Sequence, residues 1–67
     1  MPYVNVQLFE ERLTPEAETR LLTELTDAVA RALGEQYTAS TWVVLQGTPA
    51  RRWAVGGTVN PLGDQAD

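Results

Sequence analysis

The chain contains no histidine, no cysteine and no lysine, and Ser40 is its only serine. Those gaps remove most of the usual routes to protein chemistry. Imidazole bases, thiolate nucleophiles, lysine Schiff bases, Ser–His triads and Cys/His metal sites are all excluded. Missing cysteine also means that no disulfide can brace a chain of 67 residues. A domain of that size buries only ~60% of the surface its unfolded chain exposes. Oligomerisation is the remaining common remedy for so small a core. Positive charge is scarce as well. Five arginines stand against nine carboxylates, for a formal charge of −4, which argues against a nucleic-acid partner or an anionic membrane surface. No apolar run approaches the ~20 residues that span a bilayer, and no signal-peptide pattern opens the sequence. The cytoplasm is the expected compartment, with no cofactor and no metal expected.

What remains for proton chemistry is a short set: the carboxylates, Tyr3, Tyr37, the arginines and Pro2. Pro2 stands directly behind Met1. Methionine is readily trimmed before so small a residue, and trimming leaves proline at the N-terminus with a secondary amine. An unperturbed α-amino group titrates near ~7.7–8.0, and burial or nearby positive charge favours its neutral form. A proline amine in a half-buried, arginine-lined pocket is therefore suited to act as a general base at neutral pH. A retained Met1 would convert that amine into an amide without basicity.

Residues 2–9 alternate Val4, Val6 and Leu8 with Asn5 and Gln7, the pattern of a half-buried strand. Proline is acceptable at the start of such a strand. Glu10, Glu11 and Arg12 form an acidic-basic turn. Thr14 and Pro15 then open a helix, as cap and first helical residue, with Glu16 and Glu18 at the positive end of its dipole. Its apolar stripe is Leu21, Leu25, Ala28, Val29 and Ala32, flanked by Leu22 and Leu33, and Gly34 is placed to stop it. Arg20, Thr23, Glu24, Asp27 and Arg31 form the solvated face.

A second strand is expected over residues 41–46. Its nearly continuous run from Trp42 to Leu45 predicts burial on both faces. Residues 47–49 read as a turn and 51–55 as a short strand. Gly56 and Gly57 make a tight reversal into Thr58 and Val59. Residues 60–63 break regular structure, and 63–67 read as a frayed tail. With no linker and no internal repeat, residues 1–67 form one domain. The class is α+β: a single βαβ unit plus a short C-terminal hairpin, its two long strands parallel. One helix covers one face of such a sheet, so the bare face calls for a partner chain, most commonly by closed symmetry.

This arrangement resembles the 4-oxalocrotonate tautomerase family. The matching parts are Pro-Tyr-Val-Asn-Val at the start, Arg12 just before the capped helix, and Thr-Trp-Val-Val-Leu in the second strand. They continue with Trp53 shortly before Gly56-Gly57, and together they run in order over residues 2–59. The resemblance implies subunits that dimerise into a four-stranded sheet, and three dimers that form a hexamer. It implies that the proline amine shuttles a proton in an enolised 2-oxo acid, a small carboxylate substrate. Carried over by position, Pro2 is the base, Arg12 binds the carboxylate or carbonyl, and Trp53 lines an apolar wall.

At one position the chain departs from the pattern. The family's founding members carry a second arginine early in the second strand, where this chain has Trp42. That exchange removes an electrophilic contact and one influence lowering the amine's pKa. Arg51 and Arg52 are open between a solvated loop and a substitute substrate contact. Tryptophans at 42 and 53 favour a monocarboxylate or aryl-substituted enol over a dicarboxylate. Two competing readings are a non-catalytic subunit of a hetero-oligomer with a related chain, and a hydratase or dehalogenase relative. The latter needs a carboxylate near the Gly-Gly segment, where Val55 stands.

Overall fold

The computed structural model describes residues 1–63, so the tail expected over residues 64–67 lies outside the described residues. Strand β1 (Tyr3–Phe9) is followed by helix α1 (Pro15–Leu33), strand β2 (Trp42–Thr48), and a minimal hairpin of β3 (Ala54–Val55) and β4 (Thr58–Val59). Short 3-10 turns occupy Glu10–Arg12, Glu35–Ser40 and Ala50–Arg52. β1 and β2 pair in parallel, with Tyr3 opposite Trp42, Val6 opposite Leu45 and Phe9 opposite Thr48. The expected βαβ unit and hairpin are both present.

Local chemistry explains the helix ends. The Ala17 N–H donates to Thr14 Oγ1 at 3.1 Å, Pro15 takes the first helical position, and Glu16 and Glu18 sit in the first turn. At the other end Gly34 adopts φ 126° while its N–H closes on the Ala30 carbonyl at 2.9 Å, a conformation side-chain-bearing residues resist. The Gly56-Gly57 reversal has φ of 56° and 84°, as a tight hairpin needs.

Alternation along β1 decides which side chains meet the helix. Val4, Val6 and Leu8 are half-buried while Tyr3, Asn5 and Gln7 are exposed. Residues paired in register project to the same side, so Val43 and Leu45 join Val4 and Val6 beneath α1, which contributes half-buried Leu21, Leu22, Leu25, Ala28 and Val29. Gly47 continues that row. A Cβ there would lie 3.0 Å from Leu13 Cδ1 and 3.3 Å from Glu10 Cα, so the missing side chain lets the Glu10–Arg12 turn settle on β2.

Within one chain β2 is covered on one face by α1, and Trp42 on the other is 56% exposed, the bare face expected of a single helix on a two-stranded sheet. Four sequence expectations need correction. The apolar stripe of α1 ends early, with Ala32 and Leu33 exposed. A helix of 19 residues is roughly 28 Å long while a strand of seven residues is roughly 23 Å, so the last helical turn overhangs the sheet. Strand β2 runs on through Thr48, past the expected stop before Gly47. Residues 51–55 are not one strand, since Arg51 and Arg52 lie in the Ala50–Arg52 turn. Gly63, assigned to the tail, is held in a turn by its N–H bond to the Asn60 carbonyl at 2.8 Å.

Among the described residues only Ala50 is buried, at 1% exposure. The Cα radius of gyration is 14.7 Å, against ~11 Å for a compact domain of this length. A helix laid on two strands has too little interior to close around.

Candidate active site

The sheet sorts the candidate residues to its two ends. At the start of β1 lie Pro2, Tyr3 and Trp42. Pro2 is half-buried, and its carbonyl accepts the Trp42 N–H at 2.9 Å. Tyr3 stands opposite Trp42 in register, and both are more than half exposed on the face away from α1. An aromatic pair therefore flanks the proline where the family pattern would have an arginine.

The far end of the sheet gathers Arg12, Arg51, Arg52 and Trp53. The Trp53 ring packs on Phe9, the last residue of β1, with centroids 4.2 Å apart and planes tilted by 41°. Beside them Gln7 Nε2 donates to Thr48 Oγ1 at 2.9 Å. Gln7, Thr48, Arg52, Trp53 and Ala54 line a shallow cleft of about 240 Å³. Arg12 is exposed at the end of the Glu10–Arg12 turn. The Ala50–Arg52 turn is closed by Arg52 N–H to the Pro49 carbonyl at 2.9 Å and Trp53 N–H to the Ala50 carbonyl at 3.1 Å. The structure thus sets Arg52 beside Trp53 at the cleft, while Arg51 is an exposed turn residue outside its lining.

Seven residue steps separate Pro2 from Phe9 along an extended strand, roughly 23 Å at the usual rise. That is far beyond the reach of an arginine side chain. Within one chain, Pro2 and Trp42 lie at one end of β1 and Arg52 and Trp53 at the other, with Arg12 exposed on the turn that follows β1 and, like Arg51, outside the cleft lining.

Charge supports treating the arginine end as an anion-facing surface. The ion pair formed among the described residues is Arg20 with Glu24 on α1; that hydrogen bond and charge raise the pKa of the Arg20 guanidinium. Arg12, Arg51 and Arg52 have no carboxylate partner among the described residues. A larger cleft of about 640 Å³ opens between α1 and β2, lined by Glu10, Leu13, Glu18, Leu22, Val43, Val44, Leu45 and Gly47. Its charged lining is acidic, which repels a carboxylate substrate.

One participant escapes sequence reading. Both carboxylate oxygens of Glu11 accept the buried Ala50 N–H, at 3.2 and 3.1 Å. The partners are 39 residues apart, so no local pattern announces the contact. Among the described residues no group of three or more His, Cys, Asp or Glu side chains could hold a metal ion, and no helix is long and apolar enough to cross a membrane.

Comparison with known proteins agrees with this order of elements. No curated protein and no solved structure gives a significant match. The family model described as tautomerase enzyme matches residues 2–61, from the candidate base through the hairpin that follows Trp53. The chain belongs to the tautomerase enzyme family, a family of isomerases.

Proposed function

We propose that this protein interconverts the enol and keto forms of a 2-oxo acid, with the secondary amine of Pro2, freed by removal of Met1, as general base. The observation that carries this reading is the position of Pro2. It leads into an ordered strand, half-buried, against an exposed tryptophan, in a family whose chemistry is isomerisation. The neutral amine takes the proton from the 2-hydroxyl of an enolpyruvate or 2-hydroxydienoate. The electron pair moves onto the carbon framework as the carbonyl forms. The protonated amine then delivers the same proton to C3, or through a conjugated diene to C5, and is neutral again. Arg12 holds the substrate carboxylate or the developing enolate oxygen, the charge that changes most along the path. Trp53 supplies an apolar wall, and Arg52, which lines the cleft beside Trp53, adds positive charge.

Trp42 sets the substrate class. With an aromatic ring rather than a guanidinium next to the base, a monocarboxylate with an aryl or other apolar substituent is favoured over a dicarboxylate. Because the base and Arg12 lie at opposite ends of β1, a working site needs Pro2 from one chain and Arg12 from another. The open sheet face and the near absence of a core support self-association. We propose a dimer with a four-stranded sheet, assembled three times into a hexamer. The absence of the second arginine favours one further reading, a non-catalytic subunit in a hetero-oligomer. Retention of Met1 on the natural polypeptide would select it.

The test is ketonisation of an aryl-enolpyruvate and of a 2-hydroxydienoate by wild type, Pro2→Leu and Arg12→Ala. Leucine at position 2 blocks removal of Met1, so no free amine stands there, whereas alanine would leave a primary amine. Loss of the general base is expected to cost ~10²–10⁴ in rate, and loss of Arg12 to raise KM and lower kcat together. Equal rates in all three proteins would remove the enzymatic reading.

A further inference from the structure

We propose that Glu11 is a positioning residue that locks the Ala50–Arg52 turn onto the Glu10–Arg12 turn, so that Arg12, Arg52 and Trp53 meet the substrate as one rigid unit. This rests on the tautomerase reading only in taking those three side chains as substrate-binding.

Three observations carry the assignment. The contact joins two segments distant in sequence, with both Glu11 oxygens on one backbone N–H at 3.1 and 3.2 Å. That donor belongs to Ala50, 1% exposed and the one buried residue among those described. With Glu11 in place that residue is shielded from solvent, and an N–H that loses its acceptor in a part-buried position is costly. Phe9, two residues before Glu11, stacks on Trp53, three residues after Ala50. The two segments are therefore attached at two points, one polar and one aromatic. A single point would leave the Arg52–Trp53 segment free to swing about it; two points fix its angle as well as its distance.

The same bond has an electrostatic consequence. Glu11 is the carboxylate next to Arg12 in the chain, and its natural partner would be that guanidinium. Directed instead onto a backbone N–H, it leaves Arg12 without a carboxylate partner among the described residues. Glu11 thus orders the binding surface without neutralising it.

The test uses phenylglyoxylate, a 2-oxo acid with no enolisable carbon, so that binding is measured apart from turnover. Glu11→Ala, Glu11→Asp and Glu11→Gln are compared with wild type for probe Kd, for KM and kcat with an aryl-enolpyruvate, and for amide exchange at Ala50. Glutamine keeps an acceptor at the same reach and loses the charge; aspartate keeps the charge and loses the reach. Alanine and aspartate are expected to weaken probe binding about tenfold, the factor matching loss of one charge-assisted hydrogen bond. KM rises in parallel, kcat falls with it because Arg12 is less well placed, and Ala50 exchange accelerates. Glutamine holds Kd within about threefold of wild type, as a preserved acceptor should. Rescue by aspartate but not glutamine, wild-type binding by Glu11→Ala, or failure of wild type to bind the probe overturns the assignment. Should Glu11→Ala not fold, the aspartate and glutamine arms decide alone. Wild-type binding without turnover overturns the tautomerase reading and leaves this one standing.

Discussion

Two inactive variants of this protein should restore each other when they share an assembly. The perturbations are Pro2→Leu, whose bulky side chain keeps Met1 in place so that the proposed amine base is absent from position 2, and Arg12→Ala, which removes the proposed anion-holding guanidinium at the opposite end of the sheet. Seven steps of extended chain, roughly 23 Å, divide the two positions. A substrate touching both must therefore bridge two chains. On the proposed two-chain site, assemblies formed by unfolding and refolding an equal mixture would draw each site's proline from one chain and its arginine from another. With random mixing, half of the prolines and half of the arginines are intact, so about a quarter of the sites carry both. The expected outcome is a ketonisation rate near one quarter of wild type from two proteins each reduced by about a hundredfold or more. The assay is the ultraviolet change on ketonisation of an aryl-enolpyruvate, with native mass spectrometry to verify that both variants are in one particle. Mixed particles without recovered rate would refute the two-chain site and, with it, the geometric reasoning from β1.

Two further outcomes test neighbouring positions. Trp42→Arg is expected to raise kcat/KM for a dicarboxylated 2-hydroxydienoate and lower it for an aryl-enolpyruvate; unchanged selectivity in a competition assay would show that residue 42 does not face the substrate. Gly47→Ala places a Cβ 3.0 Å from Leu13 Cδ1 and 3.3 Å from Glu10 Cα. A cost of about 1 kcal/mol is expected from that overpacking, visible as a lower denaturation midpoint, with KM raised because the turn carrying Arg12 must shift.

Most of the local structure is legible in the chain. Alternating Val4, Val6 and Leu8 specify a strand with one apolar face, and Thr14, Pro15 and Gly34 delimit the helix through caps whose chemistry acts within a few residues. Gly56 and Gly57 specify the reversal for the same reason. The continuous apolar run at Trp42 reports that burial is wanted, not which surface provides it. Ala32 and Leu33 misled the burial expectation because periodicity says nothing about the relative lengths of a helix and the sheet beneath it. Among the candidate site residues, Pro2, Arg12 and Trp53 stood out by type and order. Glu11 did not, since its partner lies 39 residues away and a glutamate beside an arginine reads as an ordinary solvated pair.

The amino-acid sequence by itself determined the set of groups able to do chemistry and the order of elements carrying them. Composition and short-range patterns depend only on neighbours along the chain. The tertiary structure alone decided that Arg52 rather than Arg51 lines the cleft with Trp53 and that Glu11 is tied to Ala50. Those relations arise from the parallel pairing of β1 with β2 and from the turns that follow each strand, so they exist only once distant segments have met.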